Sequence, residues 1–183
     1  MNLILLTPED CPQSNIAHLT GRRLQHVLEV HQAQVGQHLR VGMMNGLMGN
    51  AEVVRLDKQS LQLRFELDQA PPAKLPLTLL LALPRPKMLK RIFQTVATMG
   101  VERVVLMNSY RVEKSFWDSP FLQPDAIQEQ LILGLEQGKD TILPEIILEK
   151  RFKPFVEDRL TSLAGDSLKL VAHPDRKSTR LNS

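Results

Sequence analysis

Apolar and polar positions change rhythm near residue 75. Before it, short stretches read as strands. Asn2–Leu6 is a compact apolar run, and Leu39–Met43, Ala51–Leu56 and Ser60–Leu67 alternate apolar and polar residues as half-buried strands do. Gly42, Asn45, Gly46 and Gly49 predict a turn between the first two alternating stretches, and Asp57-Lys58-Gln59 predicts the next. Leu19–Val30 places Leu24, Val27 and Leu28 at helical spacing, with Thr20 as N-cap. Several short strands and one helix predict a small barrel over residues 1–70. Three prolines then fall within residues 71–76, predicting a stiff, extended linker and a domain boundary.

After the linker the pattern is longer-ranged. Leu77–Leu83 is a continuous apolar run, the mark of a strand buried on both faces. Lys87–Met99 reads as a helix with Met88, Ile92, Val96 and Met99 on one face, ended by Gly100. Arg103–Met107 predicts a second buried strand, and Pro124–Lys139 a long helix with Ile127, Leu131 and Leu135 inward. Glu145–Leu148 predicts a strand, Pro154–Leu163 a helix and Leu168–Ala172 a last strand. Alternating strands and helices predict a parallel α/β sheet. A domain stopping on a strand reads as cut. Asp175–Ser183 has neither periodicity nor capping logic and reads as the frame translation of a common sequencing adapter, so it is set apart from the fold. The natural chain is expected to continue past Pro174.

Length and composition narrow the class. The 183 residues allow one domain or two small ones, and 43% apolar with 23% charged residues is ordinary for a globular chain. No apolar run reaches the roughly 18 residues of a membrane helix. The N-terminus lacks the basic start of a secretory signal. The single cysteine, Cys11, excludes an intrachain disulfide and a Cys-rich zinc site, and a cytoplasmic location fits best. No histidines fall at i, i+4 spacing, so no metal is expected. Phosphate-loop, G-x-G-x-x-G and G-x-S-x-G motifs are absent. Phe116 and Trp117 read as packing anchors, and Met43, Met44, Met48, Met88, Met99 and Met107 as core fillers.

Charge sharpens the picture. The chain carries a net charge of +3. Residues 73–114 hold eight Lys/Arg against two Asp/Glu, while residues 1–72 hold six against seven. A concentrated positive segment is the footprint of a polyanion-binding face. Three clusters carry it. Arg22, Arg23 and His26 lie one turn apart on the first helix, a face suited to phosphates or simply to solvent. Pro84-Arg85-Pro86-Lys87-Met88-Leu89-Lys90-Arg91 puts four cations at the carboxyl end of a strand and in the next helical turns. Ligands of open α/β sheets bind at that end, and cations there oppose the helix dipole without structural gain. Ser109-Tyr110-Arg111-Val112-Glu113-Lys114-Ser115 follows the next strand on the same sheet edge, where Arg111 and Lys114 could pin phosphates while Tyr110 stacks or packs.

The chain resembles a known family through Leu39-Arg40-Val41-Gly42 with Asn45-Gly46, Leu83-Pro84-Arg85-Pro86-Lys87-Met88, Met99-Gly100-Val101, Ser109 through Ser115, Leu135-Glu136-Gln137 and Leu143-Pro144-Glu145. In that order and spacing, from Met1 to Pro174, it resembles the bacterial 16S ribosomal RNA uridine N3-methyltransferases of the SPOUT, or trefoil-knot, superfamily. The resemblance implies an α/β fold: an N-terminal PUA-like β-barrel followed by a SPOUT-type parallel α/β domain over 77–174. It also implies S-adenosylmethionine as methyl donor, 16S ribosomal RNA or the small subunit as partner, and a homodimer. The departures are local and terminal. Val30-His31-Gln32 stands where the family has V-L-R, and Thr98-Met99-Gly100-Val101 where it has Glu-Leu-Gly-Val. The G-P-E-G-G loop and the L-R-x-E-T-A segment that hold the cofactor are not present, so the SPOUT domain is expected to be incomplete, with its cofactor-binding residues beyond Pro174.

Such an enzyme transfers a methyl group to uridine N3, which must lose its proton. Positioning and stabilisation of the uracil anion supply the catalysis. Arg111 is the catalytic candidate. Arg22, Arg23, His26, Arg40, Arg85, Lys87 and Lys114 are the RNA-binding candidates, and Glu136 and Gln137 are supporting residues that either orient RNA or brace a loop. The alternative is a non-catalytic RNA-binding module built from the same barrel and basic edge.

Overall fold

A computed structural model of the chain describes residues 2–172, which fall into two compact units divided between Lys150 and Arg151. The expected tail at 175–183, and any cofactor-binding residues past Pro174, lie outside the described residues.

In the first unit, β1 (Ile4–Leu6) explains the apolar run at the N-terminus. Side chains alternate across a strand. Ile4 and Leu6 face a core with Leu19, Val41, Val53 and Leu63, while Leu3 and Leu5 face a second core with Phe93, Leu106 and Leu135. One strand thus serves two cores.

The first core is covered by a five-stranded mixed sheet in the order β1-β3-β4-β5-β2. Strand β2 (Ile16–Leu19) lies antiparallel to β5 (Leu61–Gln69). The sequence pattern assigns no strand here, and only Leu19 falls in the stretch it reads as helical. Helix α1 (Gly21–His26) widens into a π-helical turn over Val27–His31. Thr20 has the extended backbone of an N-cap, but its side chain makes no capping hydrogen bond. Strands β3 (His38–Met43) and β4 (Met48–Leu56) form a hairpin whose turn holds Asn45 at φ +57°. Gly42 and Gly49, expected in that turn, lie inside the two strands. The Asp57 turn is as expected: its carboxylate accepts from the backbone N–H groups of Gln59 and Ser60 at 2.8 and 2.9 Å.

The second sheet is parallel, in the order β6-β7-β8: β6 (Leu75–Ala82), β7 (Val101–Met107) and β8 (Glu145–Glu149). Residues 70–74, which belong to no strand or helix, carry the chain from one sheet to the other. Central β7 is buried at Val104, Val105 and Leu106. Strand β6 corrects the expectation of burial on both faces. Among the described residues it is an edge strand, so Leu79, Leu81 and Leu83 pack into the core while Leu75, Leu77 and Leu80 stay 38–45% exposed.

Helices α2 (Pro86–Thr98) and α3 (Pro124–Gly138) pack on each other and on this sheet. The buried face of α2 is Leu89, Phe93, Val96 and Ala97. The expected face was offset by one residue, and Met88 and Met99 are exposed rather than core fillers. Gly100, at φ +69°, ends α2, a conformation that costs a side-chain-bearing residue energy. At Gly134 a Cβ would lie 2.4 Å from the backbone oxygen of Gln94, so the two helices approach closely only because no side chain stands there.

The second unit begins with α4 (Phe152–Pro154), a π-helical stretch at Phe155–Arg159 and α5 (Leu160–Ala164). The strand expected at Leu168–Ala172 is not formed. Among the described residues it has no ladder partner, and Leu168, Leu170 and Val171 are exposed.

Candidate functional site

Parallel pairing of β6 with β7 brings two loops to one edge, because Ala82 and Met107 lie in register at the carboxyl ends of their strands. From β6 the chain runs through Leu83, Pro84 and Arg85 into α2. Arg85 occupies the N-cap with extended backbone, and Pro86, whose missing N–H suits a first helical turn, starts the helix. Arg85, Lys87, Lys90 and Arg91 are exposed. From β7 the chain runs through residues 108–123. Phe116, Trp117, Phe121 and Leu122 pack against the core, and the Trp117 indole N–H donates to Asn108 Oδ1 at 3.4 Å. Ser119 Oγ accepts from the Phe121 N–H. Anchored from beneath, this loop presents Tyr110, Arg111 and Lys114 to solvent. Phe116 and Trp117 are therefore packing anchors, as their composition suggested.

Pairing separates the expected site residues. Among the described residues no ion pair closes on Arg85, Lys87, Arg91, Arg111 or Lys114. The first-helix cluster differs. Arg23 holds both oxygens of Asp10 at 2.6 Å and also donates to the Leu5 carbonyl at 2.8 Å. Burial pushes the Asp10 carboxyl up. Hydrogen bonds from Arg23 and from the Thr7 N–H outweigh it, and the group sits below its ordinary value of 3.8. Arg22, half exposed, donates to buried Glu136 on α3 at 2.8 Å. His26 is half-buried, its ring centroid 5.1 Å from that of His31. Arg40 is exposed on β3 and donates to Gln69 at 2.6 Å. The structure thus gathers Arg85, Lys87, Arg111 and Lys114 on one edge and ties Arg22 and Arg23 into the fold.

Glu136 also receives the N–H groups of Asn2 and Leu3 on its backbone oxygen, and the Gln137 carbonyl accepts from Asn2 Nδ2. Both supporting candidates therefore hold β1 against the end of α3. The sequence marks neither Thr141 nor Asp140, and it marks Asn45 as a turn residue and Lys90 as one of four cations without revealing their contacts. Thr141, Asn45 and Asp140 join the β3–β4 hairpin to the segment after α3, with Asn45 N donating to Thr141 O and Leu143 N to Asn45 Oδ1. Lys90 stands over the Phe121 ring, 4.8 Å from its centroid, beside a cavity of about 190 Å³ between α2 and α3. No short-range spacing marks these groups, since their partners lie far away in the chain.

The RNA methyltransferase domain family matches residues 71–183, which contain both basic loops. The chain belongs to this RNA methyltransferase family. Within it, the chain is similar to ribosomal RNA small subunit methyltransferase E of Treponema pallidum (strain Nichols), with 29% identity over 181 residues, 98% of this chain and 68% of that protein. It is also similar to ribosomal RNA small subunit methyltransferase E 1 of Borreliella burgdorferi, with 26% identity over 154 residues, 84% of this chain and 63% of that protein. The fold is shared with a ribosomal RNA small subunit methyltransferase E from Neisseria gonorrhoeae solved with bound S-adenosyl methionine. There the TM-score is 0.62 at 18% identity, over 81% of this chain and 62% of that one. A Legionella pneumophila protein solved with the same bound cofactor gives a TM-score of 0.61 at 20% identity, over 97% of this chain and 72% of that one. This RNA methyltransferase family chain spans between 61% and 72% of the length of such relatives. No helix among the described residues is long and apolar enough to cross a membrane.

Proposed function

We propose that this chain belongs to an enzyme that methylates N3 of a uridine in 16S ribosomal RNA, with S-adenosylmethionine as donor, and that its basic sheet edge holds the RNA. The observation carrying this reading is a set of cations at the carboxyl edge of β6 and β7, Arg85, Lys87, Arg91, Arg111 and Lys114, on which no ion pair closes among the described residues. Guanidinium and ammonium groups without an internal carboxylate are available to phosphates. Residues 1–70 are the RNA-binding barrel of PUA-like type in this reading, 71–76 the linker and 77–174 the SPOUT methyltransferase part. The enzyme works as a cytoplasmic homodimer.

Arg111 stands on an exposed turn, anchored by the packed side chains after it. Its guanidinium stabilises the uracil anion left when N3 loses its proton, while Lys114, Arg85 and Lys87 hold flanking phosphates. The donor, when bound, supplies an electrophilic methyl group. In this reading the residues that hold the donor lie outside the described ones. The 183-residue polypeptide alone is therefore expected to transfer no measurable methyl group to 16S RNA. Transfer of a labelled methyl group by this polypeptide would show that the described residues do build a donor site.

RNA binding is tested by fluorescence anisotropy with a 16S fragment over a salt series. Affinity falls steeply with salt. Arg111→Ala weakens it and lowers the logarithmic salt slope by about one. Salt-independent binding, or an unchanged slope, overturns the assignment of this edge to phosphate.

A further inference from the structure

Beside the basic edge, the cavity of about 190 Å³ opens between the first half of α2, the turn at Pro120–Leu122 and the first half of α3. Its apolar walls are Phe93, Pro120 and Phe121, and Lys90, Glu129 and Gln130 supply its polar groups. Gln130 is only 6% exposed and is fixed in place: Gln94 Nε2 donates to its Oε1 at 2.7 Å, and its own Nε2 donates to Glu129 Oε2 at 3.4 Å. Lys90 is held over the Phe121 ring, 4.8 Å from the centroid.

The chemistry of this lining is selective. The Glu129 carboxylate only accepts hydrogen bonds and the Lys90 ammonium only donates them. A flat ring carrying both a carbonyl and an N–H satisfies the two together, among the apolar side chains of Phe93, Pro120 and Phe121. The volume suits one ring and falls short of a whole nucleotide-sized ligand. The position is also apt. Lys87 and Arg91 stand on the same helix as Lys90, within one turn of it, so a strand held at the rim passes the cavity mouth. We propose that this cavity receives a single unstacked base of the bound RNA, distinct from the base at Arg111, with Lys90 placed between the base and its phosphate. The inference rests on the reading of the basic edge as an RNA-binding face.

The test uses the 183-residue chain with two fluorescent strands of equal length, an oligouridylate and an abasic ribose-phosphate strand. Both present the same phosphates, and only one presents rings. The oligouridylate is expected to bind about fivefold tighter or better, the worth of one stacked base. Ala126→Leu pushes a branched side chain into the cavity from α3, and Glu129→Gln adds a donor at an exposed position where folding is not at risk. Each is expected to bring the ratio of the two affinities toward one; Ala126→Leu leaves the abasic strand's affinity unchanged, whereas Glu129→Gln, which removes a negative charge, strengthens the binding of both strands alike. If Ala126→Leu does not fold, as circular dichroism would show, Glu129→Gln decides alone. Equal binding of the two strands by the unmodified chain, or a ratio untouched by the folded variants, overturns the base site and leaves the phosphate edge standing. Failure to bind either strand overturns both.

Discussion

At the scale of single residues, what separates a cation available to a phosphate from one that holds the fold is its partner. Arg23 meets both oxygens of Asp10 and the Leu5 carbonyl, so its guanidinium is committed inside the protein. Removing it leaves a half-buried carboxylate without its cation and is expected to cost about 2–3 kcal/mol, read by urea unfolding at neutral pH. The pH dependence has a defined sign. The folded Asp10 value lies below the ordinary 3.8, so the pair's contribution is fully present above that value and is lost as pH falls through the lower folded one. Unfolding at pH 7 and pH 3 should show wild type losing stability with acid and Asp10→Asn losing less. Equal acid sensitivity would remove this pair from the account. Spacing placed Arg22, Arg23 and His26 on one turn, but it could not reveal that Arg23 closes on a carboxylate thirteen residues back and Arg22 on one 114 residues ahead. The unpaired edge was legible for the opposite reason: four cations at a strand end with no carboxylate among them already announce a charge without a local partner.

Between elements, the contact of α2 with α3 decides which residues are inside. Leu89, Phe93, Val96 and Ala97 form the buried face, whereas the pattern had favoured Met88, Ile92, Val96 and Met99. Both sets recur at three or four residues and share Val96, so periodicity alone does not choose between them. The choice follows from Gly134 and Gly138, where a Cβ would strike the α2 backbone at Gln94 and Thr98. Thr98 Oγ1 adds hydrogen bonds to the carbonyls of Gln94 and Gly134 at 2.8 and 3.1 Å. Gly134→Ala is accordingly expected to destabilise by about 1–3 kcal/mol through overpacking, although alanine is the better helix former. Thermal unfolding reads it, and a raised midpoint would mean that the helices can part at little cost. Strand order was similarly out of reach. The apolar run at Leu77–Leu83 fits a central or an edge strand equally well, and its pairing with β7 alone among the described residues makes it an edge there.

Across the first unit, the two sheets are joined by more than the chain between them. Leu5 and Met48 come from the first sheet, and Leu3 from the residue just before it, yet all three lie in the core beneath α2 and α3. A polar seam reinforces that core. Asp140, 3% exposed, accepts from the backbone N–H groups of Thr141 and Ile142 and from Lys74 Nζ, and Thr141 Oγ1 donates to the Gly46 carbonyl in the β3–β4 turn. The seam therefore ties the sheet that carries the proposed phosphate-binding edge to the sheet that carries Arg40. The consequence for stability is cooperative. Asp140→Ala leaves the largely buried Lys74 ammonium and two backbone donors without their acceptor, and it is expected to cost about 3 kcal/mol or more. Because the seam serves both sheets, hydrogen exchange should show faster opening in β3 and β4 as well as in β6, and their unfolding transitions in denaturant should coincide before and after the substitution. Loss confined to the second sheet, with the first unfolding at its original midpoint, would mean that the halves fold independently and that the seam positions the RNA-binding face without stabilising it.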